Sequence, residues 1–275
     1  ILVSARISPK SVPGYRKLLP LIKETLSHGI IIASQSQDDA DRFLSLGASP
    51  DRTFVMGNIK FDIRHDEDTL ARGREERARL FGGRPVWVAA STHEGEEELV
   101  LDVHERVRAR HDDALLVLIP RHPERFGAVR ELVSRRGLSV VSRTQGEPAG
   151  DAAVFLGDTM GEVPVFYAAS DVAFVAGSLV PIGGHNLLEP AALGVPVITG
   201  PHNFNAQDIA DLFLAMGACR KADTPEELAE LISDLLSNPD EAARLGRAGQ
   251  QVLEDNRGAL ERLLVLMEPL LSEQA

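Results

Sequence analysis

Residues 183–190 carry side chains and glycines that suit the binding of a nucleotide sugar. The two glycines let the backbone approach a phosphate closely, and a helix beginning after them would present unbonded N–H groups and the positive end of its dipole. Glu189 lies nearly on the helical face of Asn186, where its carboxylate can accept hydrogen bonds from two vicinal ribose hydroxyls. The alternative interpretation is an ordinary glycine-containing turn with a solvated glutamate.

Two earlier segments place polar groups directly after predicted strands. Residues 91–96 offer small hydroxyls and free amides that suit a phosphate or a sugar carboxylate, although Ser91 and Glu94 also have the spacing of a helix capping box. In the other segment Arg121 lies between two prolines, and its planar guanidinium is the donor that phosphate recognition favours. The alternative for Arg121 is a position in a surface turn.

A third segment, residues 157–162, follows another predicted strand. There the bare backbone of Gly161 could hydrogen-bond the edge of a nucleotide base while Met160 packs on its face. Thr159 and Glu162 also have capping-box spacing, but that spacing recurs farther along the chain where no function is indicated. The base-binding interpretation therefore depends on Gly161 and Met160.

Apolar strands alternate with amphipathic helices from residue 85 to residue 215, which predicts a parallel, doubly wound α/β sheet. The predicted strands are 86–90, 114–119, 138–142, 152–156, 171–175 and 195–199, and the predicted helices are 94–110, 123–136, 162–169, 185–193 and 206–215. Ligands of such sheets bind outside the carboxyl ends of the strands, so the polar segments should converge. His202 and Asn203 follow the last strand as sugar ligands or turn formers.

Three more strands are predicted near the N-terminus, at residues 1–5, 30–33 and 53–56, with two helices between them. Three strands are too few for the two-sided sheet that such apolar runs require, so we expect further strands upstream; alternatively, these strands extend the later sheet. The predicted division is a partial N-terminal Rossmann-like domain at 1–60, a nucleotide-binding domain at 61–255 and a C-terminal helix at 256–275 that returns toward the first domain.

Composition narrows the possible partners. A net charge of −12 over 275 residues argues against nucleic acid, because a phosphate-backbone binder needs a basic surface. A patch that faces a membrane is still compatible with the sequence, because basic residues cluster near the N-terminus. The cluster comprises Arg6, Lys10, Arg16, Lys17 and Lys23. Cys219 is the one cysteine, which fits a reducing cytoplasm, and no metal-ligand spacing of Cys and His occurs. The apolar runs are too short to span a bilayer.

Several motifs occur together, in one order, in a single family. On them the chain resembles, along its whole length, the bacterial 3-deoxy-D-manno-octulosonic acid (Kdo) transferases of lipid A assembly. The motifs are residues 5–8 (ARIS), 60–62 (KFD), 90–96 (ASTHEGE), 120–126 (PRHPERF), 157–162 (GDTMGE), 183–186 (GGHN) and 200–202 (GPH). Ser4 and Ala176 depart from the family, which often has Asn and Gly at these positions.

The resemblance implies a two-domain GT-B glycosyltransferase with its donor, CMP-Kdo, in the C-terminal domain and its acceptor, the lipid A precursor lipid IVA, on the N-terminal domain. It implies inversion without a metal or cofactor, and a general base that is a Glu upstream of residue 1. Contacts with CMP are implied for Pro120, Arg121, Met160, Gly161, Glu162, Asn186, Leu187, Leu188 and Glu189. The donor's sugar or phosphate is expected to face Ser91, Thr92, His93, Gly183, Gly184 and His185.

Two residues are expected on the acceptor side. Arg6 and Lys10 are candidates for contact with acceptor phosphates or anionic lipid, with solvated side chains as the alternative. The family works at the cytoplasmic face of the bacterial inner membrane, which it meets through its N-terminal domain. Because the expected base lies upstream, this chain alone is expected to bind CMP without transferring Kdo.

Two other functions remain open at this point. A sugar-nucleotide 2-epimerase shares the fold and reads a nucleotide with a glycine-rich segment and a ribose-binding Glu, but it would require a UDP donor. A non-catalytic nucleotide-binding module is the alternative from another class. Preference for CMP over UDP separates the first from the Kdo transferases, and multiple-turnover release of CMP would exclude the second.

Overall fold

The structure is a computed structural model that describes residues 1–27, 29–64 and 67–272. Residues 273–275, at the end of the predicted C-terminal segment, lie outside the described residues. The chain divides into a smaller unit, Ile1–Ile63 together with the segment from Leu253 onward, and a larger unit, Arg64–Val252. No helix in the described ranges has the length and apolar composition needed to cross a membrane.

Strands and helices alternate along most of the described chain. The strands are β1 (Leu2–Ala5), β2 (Ile32–Ser34), β3 (Thr53–Val55), β4 (Val86–Thr92), β5 (Leu115–Pro120), β6 (Val140–Ser142), β7 (Val154–Leu156), β8 (Val172–Val175), β9 (Val197–Thr199) and β10 (Arg220–Lys221). The helices are α1 (Val12–Lys17), α2 (Leu19–Ser27), α3 (Gln37–Ser45), α4 (Glu67–Glu76), α5 (Glu96–Arg108), α6 (Phe126–Arg135), α7 (Val163–Ala168), α8 (Leu188–Ala192), α9 (Gln207–Ala215), α10 (Pro225–Ser237), α11 (Pro239–Asn256) and α12 (Ala259–Ser272).

The smaller unit contains a parallel sheet with the order β1-β2-β3. Two helices, and not one, connect β1 to β2, because Pro20 in the first turn of α2 has no N–H to donate and a continuous helix through it is disfavoured. The carboxylate of Asp62 accepts hydrogen bonds from the N–H groups of Gly258 and Leu260, both at 2.7 Å. These bonds satisfy N–H groups that the start of α12 would otherwise leave unpaired.

The larger unit contains a seven-stranded sheet with the order β10-β9-β8-β4-β5-β7-β6, and all its strand pairs are parallel. The expectation of a parallel, doubly wound sheet is therefore confirmed. The chain moves outward from β4 through β5 in one direction and later adds β8 to the other side of β4. This reversal places a topological switch point between β4 and β8, where ligands of such folds bind.

Both faces of this sheet are buried. On one face Trp87 packs with Leu101 of α5 and Ile232 of α10, and on the other Val88 packs with Phe166 of α7. Strands buried on both sides must be apolar at nearly every position, which explains why they appear in the sequence as continuous apolar runs.

His104 of α5 is a fully buried polar group in this core. Its Nδ1 accepts a hydrogen bond from Nε1 of Trp87 at 3.1 Å, and its Nε2 lies 2.8 Å from the carbonyl oxygen of Ala153. An indole N–H can only donate and a carbonyl can only accept, so the proton of a neutral His104 sits on Nε2. Burial lowers the pKa of His104 to about 3.

The start of α5 differs from its expected position. The helix begins at Glu96 after Gly95, whose φ of +82° turns the chain, and β4 continues to Thr92 through a bulge in which Ser91 has a φ of +65°. The helix predicted to begin at residue 94 and the capping-box alternative for Ser91 and Glu94 are therefore wrong.

The start of α8 also differs, since this helix has five residues and begins at Leu188 instead of residue 185. Gly183 and Gly184 have φ values of +110° and +74°, so a loop occupies the first part of the expected helix. The short edge strand β10 was not predicted from the sequence, because Arg220 and Lys221 give it no apolar pattern.

A close helix contact gives a stability prediction. A Cβ at Gly246 of α11 would lie 2.0 Å from the carbonyl oxygen of Gly194, so Gly246→Ala is expected to lower the free energy of unfolding by about 2 kcal/mol or more. Gly127 of α6 has open space around the same position, so Gly127→Ala should raise stability by up to about 1 kcal/mol. Urea unfolding followed by the fluorescence of Trp87, the one tryptophan, measures both; equal stabilities would contradict the contact.

Candidate functional site

The carboxyl edge of the seven-stranded sheet gathers the segments that the sequence singles out. All these strands are parallel, so the loops after β4, β5, β7, β8 and β9 leave from the same edge. The switch point brings residues 93–95, after β4, next to residues 176–187, after β8.

A pair of histidines meets at the switch point. Nε2 of His93 lies 2.8 Å from Nε2 of His185, and the two rings meet edge to edge and nearly in one plane, with centroids 5.1 Å apart and planes 4° apart. His122, after β5, meets the His93 ring edge-on at 5.4 Å. One imidazole must donate and the other accept, so the contact fits neutral rings of opposite tautomers.

The surroundings of the pair favour its neutral form. Burial, followed by the charges of His122 and Arg121, lowers the pKa of His93. Burial, followed by His93 and Arg121, lowers the pKa of His185 to about 4. A Cβ at Gly177 would lie 2.8 Å from a ring carbon of His185, so a glycine is required there, and its φ of +70° is a second reason.

Glu96 joins the loops on the two sides of the switch point. Its fully buried carboxylate accepts hydrogen bonds from the N–H groups of Gly177 at 2.7 Å, Ser178 at 3.1 Å, Leu179 at 3.0 Å and His93 at 3.3 Å. Burial raises the pKa of Glu96, and the four N–H donors act in the opposite direction. The side chain thus fixes the loop after β8 to the end of β4.

A second buried carboxylate, Glu97, accepts hydrogen bonds from Oγ1 of Thr92 at 3.2 Å and from Nη2 of Arg125 at 3.0 Å. Thr92 is itself buried, so its hydroxyl faces the protein and not an open crevice. Arg125 is paired, whereas the exposed Arg121 makes no ion pair within the part of the chain that the structure describes. Arg121 is therefore the arginine of this loop that is available to an anion.

The loop after β7 presents a methionine and a glycine to solvent. Met160 is 62% exposed, and Gly161 has a φ of +80° with nothing within 4 Å of the position a Cβ would take. Glu162 is held by two hydrogen bonds from Arg143, which lowers its pKa, and by Oγ1 of Thr159 at 2.5 Å. The carboxylate of Glu162 thus stabilises the loop through its hydrogen bonds.

In the glycine loop after β8, some backbone N–H groups are already hydrogen-bonded within the loop. The N–H groups of Gly183 and Gly184 both donate to the carbonyl oxygen of Gly177, at 3.1 and 2.8 Å. The N–H groups of His185 and Asn186 make no hydrogen bond within residues 1–27, 29–64 and 67–272. An anion at this loop would therefore meet the latter pair.

Asn186 organises the start of α8. Its Oδ1 accepts from the N–H of Leu188 at 3.2 Å, and its Nδ2 donates to Oε1 of Glu189 at 3.2 Å. The side chains of Leu187 and Leu188 are buried, as is Pro120, so these residues can offer a ligand only backbone atoms. Asn186 and Glu189 share one side of the loop, as their spacing indicates.

Other candidates have different surroundings. Asn203 accepts from Oγ1 of Thr199 and donates to the carbonyl of Gly200, both at 2.8 Å, so it is a turn former. Arg6 and Lys10 lie in the smaller unit and are exposed. Glu96, Glu97, Arg125, Arg143 and Thr144 have structural roles that were not predicted; the one signal in the sequence was the run of acidic residues at the end of the 91–96 segment and directly after it.

Comparison with known proteins identifies the family. Residues 1–63 match 3-deoxy-D-manno-octulosonic-acid transferase (kdotransferase), and residues 98–252 match glycosyl transferases group 1. A 3-deoxy-D-manno-octulosonic acid transferase of Haemophilus influenzae is 39% identical over 98% of this chain and 64% of its own length. The crystal structure of the C-terminal CMP-Kdo binding domain of WaaA from Acinetobacter baumannii is 32% identical, with a TM-score of 0.65 over 68% of this chain and 99% of that domain. The chain belongs to the Kdo transferase family.

The fold agrees with this membership. Anabaena HepE, solved with UDP and glucose, is similar in fold with a TM-score of 0.54 over 96% of this chain and 69% of its own, at 16% identity. The expected GT-B class is confirmed by these likenesses and by the two parallel sheets. This Kdo transferase family member spans 64% of the length of its H. influenzae relative.

Proposed function

We propose that this chain binds CMP-Kdo at the carboxyl edge of the seven-stranded sheet and that the protein transfers Kdo to lipid IVA with inversion and without a metal ion. The observation that carries the proposal is the hydrogen-bonded pair of His93 and His185 at the switch point, with Arg121 near enough to lower the pKa of both. The A. baumannii domain that supports it is named for binding CMP-Kdo.

The nucleotide is assigned to three loops. Arg121 receives the phosphate, because its planar guanidinium is exposed and unpaired among the described residues. Met160 and Gly161 receive the base, where the backbone is open to solvent. Asn186 and Glu189 receive the ribose, whose hydroxyls would donate to the carboxylate. His93 and His185 face the donor's sugar or phosphate.

Transfer breaks the bond between Kdo and the CMP phosphate while an acceptor hydroxyl attacks the opposite face. Negative charge grows on the leaving phosphate, and Arg121 together with the N–H groups of His185 and Asn186 compensates it. Attack also needs a base beside the acceptor hydroxyl, and we assign that role to no residue of this chain. Arg6 and Lys10 are assigned to acceptor phosphates or anionic lipid at the cytoplasmic face of the inner membrane.

The transfer reaction is tested with the whole protein, CMP-Kdo and lipid IVA in detergent, with EDTA present. We expect Kdo-modified acceptor to form with EDTA and its anomeric configuration to be opposite to that of the donor. Activity that disappears with EDTA and returns with a divalent cation would contradict the metal-free mechanism, and a retained configuration would contradict inversion.

CMP is expected to bind this chain more tightly than UMP, as measured by calorimetry. Arg121→Ala and Glu189→Ala should each weaken CMP binding by about 1.5 to 3 kcal/mol, the range for a hydrogen bond to a charged group. Arg130→Ala is the matched control, because Arg130 is an exposed arginine of α6 outside the site. Tighter binding of UMP than of CMP would favour the epimerase, and equal binding or no binding of the two nucleotides would contradict the donor assignment.

A further inference from the structure

A short turn after the edge strand β6 lies beside the loop that we assign to the base. The turn, Arg143–Gln145, is a single 3-10 segment, closed by the N–H of Ser142 donating to Oε1 of Gln145 at 2.7 Å. Pairing of β6 with β7 sets Ser142 opposite Leu156, so the turn emerges next to residues 157–162. Its neighbour is thus fixed by strand register.

The turn binds this loop on the N-terminal side of its exposed tip, residues 160 and 161. The N–H of Thr144 donates to Oδ1 of Asp158 at 2.9 Å, and Oγ1 of Thr144 donates to Oδ2 of Asp158 at 2.5 Å. One residue therefore satisfies both oxygens of the carboxylate. Asp158 is fixed at the point where the loop leaves β7.

The turn also binds the loop on the C-terminal side of its tip. Nε and Nη2 of Arg143 donate to the two oxygens of Glu162 at 3.0 and 2.8 Å, and Nη2 also reaches Oε1 of Glu76 on α4 at 3.2 Å. The Arg143 and Glu162 side chains are 17% and 19% exposed. A two-pronged, mostly buried arginine–carboxylate pair is stronger and more directional than an exposed pair.

Between these two anchors lie Met160 and Gly161, which have no comparable support. Met160 is largely exposed, and the position of a Cβ on Gly161 has open space around it. A loop of this kind must be ordered before it can read a base, and ordering that is already present in the free protein favours binding. The anchors on either side supply that order.

We propose that Arg143 and Thr144 are positioning residues for the nucleotide base: by holding Asp158 and Glu162 they fix Met160 and Gly161 in the orientation that distinguishes cytosine from uracil. Neither residue is assigned to contact with CMP. The proposal rests on the proposed function, because it takes this loop as the base site. It adds a specificity determinant that lies outside the matching motifs.

The test measures the affinities of CMP and UMP for the wild type and for Arg143→Gln by calorimetry. We expect CMP affinity to fall about tenfold and the ratio of CMP to UMP affinity to fall toward one, because loss of loop order removes base reading. Arg143→Lys, which keeps the charge, should recover part of both. Hydrogen exchange should accelerate at residues 159–161 in Arg143→Gln.

Arg220→Gln is the matched control. Arg220 lies on β10, at the opposite edge of the same sheet from β6, and it pairs with Glu241 at 2.7 Å. An affinity ratio in Arg143→Gln equal to that of the wild type, or a fall of the same size in Arg220→Gln, would overturn the proposal. Thr144→Val, expected to lower CMP affinity about threefold, repeats the test with a milder change if Arg143→Gln does not fold. Failure of the wild type to bind CMP would instead overturn the proposed function.

Discussion

Replacing Glu96 with alanine is expected to lower the free energy of unfolding of the larger unit by more than about 3 kcal/mol. The carboxylate accepts four backbone N–H groups, three of them from residues 177–179. Without it these donors remain in a buried space with no acceptor, and the loop after β8 loses its attachment to β4. Urea unfolding followed by Trp87 fluorescence measures the change.

Glu98→Ala provides the control for this substitution. Glu98 belongs to the same first turn of α5 and is exposed, so its replacement removes the same charge from the helix N-terminus without emptying a buried site. The free energy of unfolding of Glu96→Gln should lie between those of the two alanine variants, because the amide of glutamine can accept on one side only. Similar stabilities for Glu96→Ala and Glu98→Ala would show that the four hydrogen bonds do not hold the loops.

The second large effect is a loss of stability in acid that is caused by His104. Its pKa is about 3 in the folded protein and about 6.5 when unfolded, so its contribution is complete above pH 6.5 and is lost as pH falls toward 3. The full loss is about 5 kcal/mol, of which about 2 to 3 kcal/mol should appear by about pH 4.5. The proton would have to enter between Trp87 and the imidazole, where a donor already points.

His104→Gln isolates this contribution. A glutamine can still accept from the indole and donate to Ala153, but it does not titrate. As the pH falls, the wild type should therefore lose unfolding free energy relative to His104→Gln. His185, with a pKa of about 4, remains in both proteins and cancels. Parallel curves for the two proteins would contradict a neutral buried His104.

The sheet could be predicted from the sequence because its strands are buried on both faces. Residues 115–120 are apolar throughout, and all are buried in the structure. The boundaries were harder, because they depend on single backbone conformations. The positive φ of Gly95 delays α5, and the loop around Gly183 and Gly184 shortens α8.

The candidate site was predicted in part. Arg121, Met160 and Gly161 are exposed on loops at the expected edge, as their positions after strands indicate. The roles of Glu96 and Arg143 were not foreseen, because their partners lie far along the chain and are brought near by strand order and register. Sequence spacing describes one helix or loop, whereas these contacts join separate loops.

The position of β6 at the end of the sheet has a consequence for thermal behaviour. The strand has three residues, with a hydrogen-bonded neighbour on one side only, so it can detach in a local opening that leaves the rest of the sheet intact. Such an opening carries Arg143 and Thr144 away from the base loop. The apparent dissociation constant for CMP then equals the intrinsic value divided by the closed fraction. On warming, nucleotide affinity should decline at temperatures where Trp87 is still buried.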